Sequence, residues 1–194
     1  PPTIVGGLYI KQRFIMANSV QLLDEIAMNR ALTRISFEIT EKADDINDLV
    51  LIGIKTRGVP MANRIVEKIN EHNNINVPVA NLDITFYRDD LSKLSDMPKV
   101  NNVLPNIDVT DKEVVIVDDV IYTGRTTRAA IEAIFKMGRP KKISLAVLVD
   151  RGHREIPIKA DYVGKNVPTS RSENVKCKFM ETDGVNEVTL LKRD

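Results

Sequence analysis

The sequence is poor in the residues that staple, ligate or span. Its 194 residues contain one cysteine, Cys177, which excludes an internal disulfide framework and fits a reducing compartment, so the cytoplasm is the expected location. Two histidines and that one cysteine cannot close a zinc site of the usual kind. No apolar run approaches the ~20 residues needed to span a bilayer. Excess charge is also missing. The formal net charge is +1, so total charge argues neither for nor against a nucleic-acid partner, and only local clustering can. The N-terminal stretch PPTIVGGLYIKQRFIMANS places its basic residues after its apolar portion, which is not the order of a secretory signal. It has no initiator Met, and Met16 opens a more ordinary start. Residues 1–15 therefore read as an extension that the fold does not need. The rest, 16–194, fits one domain in size, and a composition of 43% hydrophobic and 28% charged residues is that of a globular protein.

Along the chain, residues 20–42 carry Leu23, Ile26, Ala27, Ala31, Ile35 and Ile39 near one helical face. LVLIGI (49–54) reads as a buried strand. Pro60 opens a helix reaching about His72, with Ala62, Ile65, Val66 and Ile69 inside. VPVANLDITFY (77–87), VVIVDD (114–119) and ISLAVLVD (143–150) supply three more strands. Apolar, non-alternating strands separated by helices predict an α/β fold with a parallel sheet covered on both faces. Ligands of such sheets bind beyond the carboxyl ends of the strands. That rule singles out Lys55-Thr56-Arg57-Gly58, Arg88-Asp89-Asp90, Asp118 to Thr127, and Asp150 to Arg154. Residues 88–111 have few apolar positions and the length of a lid or binding loop. Beyond Asp150, ADYVG, VKCKFM and EVTLL suggest a small β-rich hood, at about 150–175, and a closing edge strand.

The stretch VVIVDDVIYTGRTT (114–127) carries the chemistry. Four apolar β-formers run into two carboxylates that cannot both be buried without partners, so Asp118 and Asp119 are expected where the strand leaves the core. A lone Asp-Asp commonly caps a turn, but here strand, turn and helix agree on a site. The turn leads into a helix from Thr126 to Met137, stopped by Gly138. A Thr-Gly-Arg-Thr-Thr turn at a helix N-terminus offers backbone amides, the hydroxyls of Thr123, Thr126 and Thr127, close approach at Gly124, and the positive end of a dipole. It lacks the Lys-Ser/Thr ending of a Walker motif, which disfavours nucleoside triphosphate hydrolysis. Carboxylates beside a phosphate site suit sugar hydroxyls, directly or through a hard cation such as Mg²⁺. The implied ligand is a sugar with a terminal phosphate.

VVIVDDVIYTGRT resembles the phosphoribosyl pyrophosphate (PRPP) motif of the type I phosphoribosyltransferases. ALTRISFEI, IGIKTRG, DITFYRDDLS and GRPKKISLAVLVDRGHREIPIKADYVGKNVPTS extend the resemblance over roughly 17–191. They look like the branch of that family that joins uracil phosphoribosyl transfer to RNA-binding attenuation of pyrimidine operons. The resemblance implies a type I phosphoribosyltransferase fold, a parallel core flanked by helices with a small β-rich hood. The implied reaction converts uracil and PRPP to UMP and pyrophosphate with Mg²⁺. Asp118 and Asp119 would hold the ribose hydroxyls and the metal shell, and Thr123, Gly124, Arg125, Thr126 and Thr127 would cradle the 5′-phosphate. Lys55, Thr56, Arg57 and Gly58 match the pyrophosphate loop. A cation at a helix N-terminus opposes the dipole, and this misfit of Arg57 favours an anionic ligand. Arg88 matches a lid residue, and Arg151 is the candidate on the base side.

Residues 136–165 are locally basic, as a phosphate-tracking surface would be, although on the residues alone a solvated face together with PRPP ligands is the better explanation of such a cluster. The resemblance implies an RNA surface at Thr33, Arg34, Lys42, His153, Arg154, Lys159 and Lys165. The partner would be a structured leader mRNA bound in response to UMP, and the protein would be a homodimer or higher oligomer. The alternative is a phosphoribosyltransferase for purines or another base without an RNA role.

Overall fold

Leu49–Ile54 has no polar side chain, and the structure buries it at every position. The computed structural model describes residues 19–84 and 104–192. In chain order it comprises β1 (Ser19–Leu23), α1 (Glu25–Lys42), β2 (Leu49–Ile54), α2 (Gly58–Asn73), β3 (Val79–Leu82), β4 (Glu113–Ile121), α3 (Arg125–Met137), β5 (Lys142–Asp150), β6 (Tyr162–Asn166), β7 (Asn174–Lys178), α4 (Met180–Asp183) and β8 (Glu187–Leu191). Five strands form a parallel sheet in the order β3-β2-β4-β5-β6. Successive residues of a strand point to opposite faces, and β4 shows the result. Val115 and Val117 join the layer containing Ile35, Ile39, Ile65 and Ile69 from α1 and α2, while Val114 and Ile116 join the layer of Ala129, Ala133 and Ile134 from α3. With both faces covered, the strands need no polar alternation.

Residues 20–23 are not helical. They belong to β1, which pairs antiparallel with β8. The helix begins only at Glu25, because the Asp24 carboxylate accepts the Ala27 amide at 2.7 Å and caps it. Of the strand expected over 77–87, Val79–Leu82 forms, and Thr85 to Tyr87 lie outside the described residues.

The hood also differs from expectation. ADYVG is not part of it. Tyr162–Asn166 pairs parallel with β5 as the edge strand of the core sheet, since the buried run Leu145–Val149 requires backbone partners on both sides. The small sheet is β1-β8-β7, drawn from 19–23, 174–178 and 187–191 rather than 150–175. Of the expected lid, 88–103 lies outside the described residues. Its C-terminal end is part of the core, with Val109 buried and Leu104 and Ile107 packed on the α3 layer.

Candidate active site

The carboxyl end of β4 carries the acidic pair. Both residues lie inside the strand rather than beyond it, because β4 continues to Ile121 and Asp118 stays in register with Val147 of β5. Asp118 is only 8% exposed, and its Oδ1 accepts the Asp119 amide at 2.9 Å. Burial pushes the Asp119 carboxyl above its ordinary pKa, with Asp118, Arg57 and the Val120 amide opposing the shift. Behind the pair, burial and then the two carboxylates push the Cys177 thiol well above the usual range, and its Sγ donates to the Asp119 carbonyl at 3.9 Å.

Past β4 the chain turns at Gly124, whose φ of +93° lies in the left-handed region that a side chain would strain. Gly124 is the N-cap of α3, so the first-turn amides of Arg125, Thr126 and Thr127 have no acceptor within the helix, and the Arg125 amide donates to Thr123 Oγ1 at 3.4 Å. Tyr122 to Thr127, Asp118 and Glu155 line a cavity of about 360 Å³. A second cavity of about 380 Å³ lies between Lys55, Thr56 and Arg57 on one side and Asp118 and Asp119 on the other, with Asp83 and Ile84 completing the wall. The two cavities share Asp118, Val120 and Thr126. One contiguous cleft thus has a glycine turn and the start of α3 at one end, a second loop at the other, and two carboxylates between them.

Residues 18–180 match the phosphoribosyl transferase domain. The chain belongs to the phosphoribosyl transferase family. It is 57% identical to the Bifunctional protein PyrR of Acetivibrio thermocellus over 175 residues, 90% of this chain and 95% of that protein. It is 56% identical to the Bifunctional protein PyrR of Clostridioides difficile, over 90% and 99% of the two chains. Among solved structures, a Trypanosoma cruzi hypoxanthine phosphoribosyl transferase superposes with a TM-score of 0.69 at 20% identity, covering 89% of this chain and 91% of that one. A hypoxanthine phosphoribosyltransferase from Staphylococcus aureus gives 0.66 at 18%, covering 89% and 92%. At such identities the likeness is one of fold, the type I phosphoribosyltransferase fold.

In this phosphoribosyltransferase the Lys-Thr-Arg-Gly loop is pressed onto β4. A Cβ on Gly58 would lie 2.4 Å from the Val117 carbonyl oxygen, so Gly58 serves close packing of α2 on the strand that bears the acids. Arg57, the N-cap of α2, does not reach out alone. Its Nε and Nη2 donate to Oδ2 and Oδ1 of Asp183 at 3.1 and 2.8 Å. Lys55 is exposed and pairs with Asp83 at 3.7 Å. Arg125 is tied to Glu155 at 2.9 Å across the mouth of the phosphate turn. Arg88 lies outside the described residues.

Arg151 is not among the residues lining either cavity. It is 6% exposed, stacks 4.2 Å above the Tyr122 ring, and donates to Thr169 Oγ1, Asn174 Oδ1 and the Ser170 and Glu173 carbonyls. These bonds hold the 169–174 loop. Arg154 is also committed, to the carbonyls of Ile158, Tyr122 and Gly152 and to Asp150. A guanidinium so engaged fastens 150–158 to the turn after β4.

The remaining RNA candidates fall into two groups. On α1 and β6, Arg34 donates to the Val163 and Gly164 carbonyls at 3.1 and 2.6 Å, Lys42 lies 5.0 Å from the Tyr162 ring centre, and Lys165 donates to the Leu22 carbonyl at 2.9 Å. Thr33 bonds back to the Asn29 carbonyl. Beside the phosphate turn, His153 meets the Thr169 carbonyl, and Lys159 is exposed. Asp83, Glu155, Cys177 and Asp183 were not anticipated. Asp83 directly follows β3, so the strand-end rule would have found it. The other three have no local signal.

Proposed function

We propose that this phosphoribosyltransferase converts uracil and PRPP to UMP and pyrophosphate, and that it binds a structured pyrimidine-operon leader mRNA in response to UMP. The observation that carries the enzyme reading is the shared wall of the two cavities. A ligand with a phosphate at each end and a polyhydroxylated ring between them fits a cleft with an anion-binding turn, a second loop and two central carboxylates. The name of the relatives, Bifunctional protein PyrR, supports two roles in one chain. The protein would act in the cytoplasm as a homodimer or higher homo-oligomer.

In the reaction, the bond from ribose C1′ to the pyrophosphate oxygen breaks, the bond from C1′ to uracil N1 forms, and the N1 proton is released. Positive charge develops on the ribose ring as the leaving group departs. Asp118 and Asp119 accept hydrogen bonds from the ribose hydroxyls, and their charge, held in a half-dry cleft, favours that developing cation. The first-turn amides of α3 with Thr123, Thr126 and Thr127 hold the 5′-phosphate, and the amides after Lys55 with Arg57 receive the diphosphate. Fixing both ends of PRPP leaves C1′ little freedom, which converts binding energy into orientation. The carboxylates also fit Mg²⁺. Ionised Asp119 is disfavoured by burial, and a cation would offset that. The described residues form no cage of three or more metal-ligating side chains, and Mg²⁺ is usually held by one or two carboxylates together with substrate phosphates and water. When bound, the ion would neutralise diphosphate charge.

The proposed RNA face draws on Thr33, Arg34, Lys42 and Lys165 along α1 and β6, with His153 and Lys159 near the phosphate turn. The decisive experiment incubates the protein with PRPP and Mg²⁺ and with uracil, hypoxanthine or guanine in turn, following nucleotide formation. Filter binding of leader RNA with and without UMP runs alongside. UMP formation from uracil alone, and RNA affinity that rises with UMP, are expected. Nucleotide formation from a purine, with RNA binding indifferent to UMP, would replace this reading with that of a purine enzyme.

A further inference from the structure

Two arginines of α2 grip the short helix α4 of the hood. Arg57 and Arg64 are separated by seven residues, two helical turns, and so lie on one face of α2. Arg64 donates in a fork to Glu181 at 2.8 and 2.7 Å and to Asn186 at 2.7 Å, and its guanidinium lies 5.3 Å from the centre of the fully buried Phe179 ring. Asn186 in turn donates to Glu25 at the start of α1 and accepts the Met180 amide. With α4 thus pinned, Asp183 has one place to be. Its Oδ2 accepts the Phe179 amide at 3.1 Å and the Thr182 hydroxyl at 2.7 Å, which fixes the carboxylate plane. Against that plane lies the Arg57 fork. Arg57 first, then Thr182 and the Phe179 amide, hold the Asp183 carboxyl far below the usual range despite its partial burial.

Nothing on Arg57's own helix orients it, since its position as N-cap carries no side-chain capping bond and the dipole there opposes a cation. Yet Arg57 lines the cavity of Lys55, Thr56, Asp118 and Asp119, where its charge also opposes the upward shift of Asp119. We propose that Asp183 is the positioning residue of the diphosphate site: from the hood it holds the Arg57 guanidinium at the cleft wall, so that the departing diphosphate meets a preorganised cation. This inference rests on the phosphoribosyltransferase reading of the cleft. Asp183 acts through Arg57 and is not among the residues lining either cavity. It couples the hood to leaving-group recognition, while the 5′-phosphate turn on α3 is left out of the coupling.

The test is calorimetric titration of the full chain with PRPP and with inorganic pyrophosphate, each with Mg²⁺, and with UMP. Asp183→Asn keeps the shape and removes the charge. PRPP and pyrophosphate are expected to bind at least tenfold more weakly, while UMP changes less than twofold, and unchanged UMP binding also reports an intact fold. Asp183→Glu retains the charge one methylene further out and is expected to lose less than Asn. If the Asn variant fails to fold, the Glu variant still discriminates, since a severalfold loss for PRPP alone is expected of it. In an Arg57→Ala background, Asp183→Asn should cost nothing further. Additive losses, equal weakening of UMP, or PRPP affinity at the wild-type value in both Asp183 variants would each overturn the positioning role. A wild-type chain that binds no PRPP would instead refute the function reading beneath it.

Discussion

Gly58→Ala tests how tightly the acidic strand is held. A Cβ there would lie 2.4 Å from the Val117 carbonyl oxygen, 3.3 Å from its carbon and 3.4 Å from Asp118 Cα. Real Cβ atoms essentially never come within 3.0 Å of a neighbour, so α2 must retreat from β4 by at least 0.6 Å. The obstacle is backbone, and no side chain can rotate away. Overpacking of this kind costs about 1–3 kcal/mol. The better helix propensity of Ala returns at most about 1 kcal/mol, so a net loss of up to about 3 kcal/mol is expected. For a chain of this size that lowers the melting midpoint by up to about 12 °C. Because Val117 adjoins Asp118, the displacement reaches the carboxylates, and PRPP affinity should fall with stability. Urea denaturation and calorimetric PRPP titration read both quantities. A variant as stable as wild type, with undiminished PRPP binding, would refute the claim that this glycine sets the spacing between α2 and the acids.

Asp119→Asn should abolish phosphoribosyl transfer and yet stabilise the fold at neutral pH. Burial raises the folded-state pKa of Asp119, so ionisation penalises the native state. That penalty is absent below the unfolded value of 3.8 and grows as pH rises toward the folded-state value. The stability advantage of the variant over wild type should therefore open between those limits, and urea midpoints that coincide at all pH values would contradict it. Arg154→Gln should destabilise by about 1–3 kcal/mol, because it strands the carbonyls of Tyr122, Gly152 and Ile158. Exposed Lys159→Gln should leave stability within about 0.5 kcal/mol and shallow the salt slope of RNA binding by about 0.7–0.9. The reverse pattern in chemical denaturation and salt titrations would restore Arg154 as an RNA contact.

The parts of the fold legible in the sequence are those in which neighbours in sequence are also neighbours in function. Val114–Val117 announces a strand buried on both faces, and the turn from Thr123 to Thr127 carries its hydroxyls, glycine and helix start in one stretch. The hood was not legible in this way. Val20 to Leu23 continue the apolar period of α1, and only the antiparallel pairing with Val188–Leu191 makes them a strand. ADYVG is short and contains a glycine, and its place beside β5 is decided by the open edge there. Arg151 and Arg154 read as free cations because a sequence does not show which carbonyls will face them. Asp183 is 126 positions from Arg57, and nothing in METDG marks that carboxylate as part of a cleft.

The central strand of the hood is β8, near the end of the chain, and both β1 and β7 depend on it for pairing. As the ribosome releases the chain, the core strands through β6 emerge, with the carboxylates and the turn after β4, while β1 still waits for a partner. Only when Glu187–Leu191 emerges can the small sheet close, seat α4 against α2 and bring Asp183 to Arg57. A chain interrupted before β8 would carry the acids without the clamp. In the proposed reading, the hold of Asp183 on Arg57 thus depends on a sheet drawn from three separate stretches, 19–23, 174–178 and 187–191.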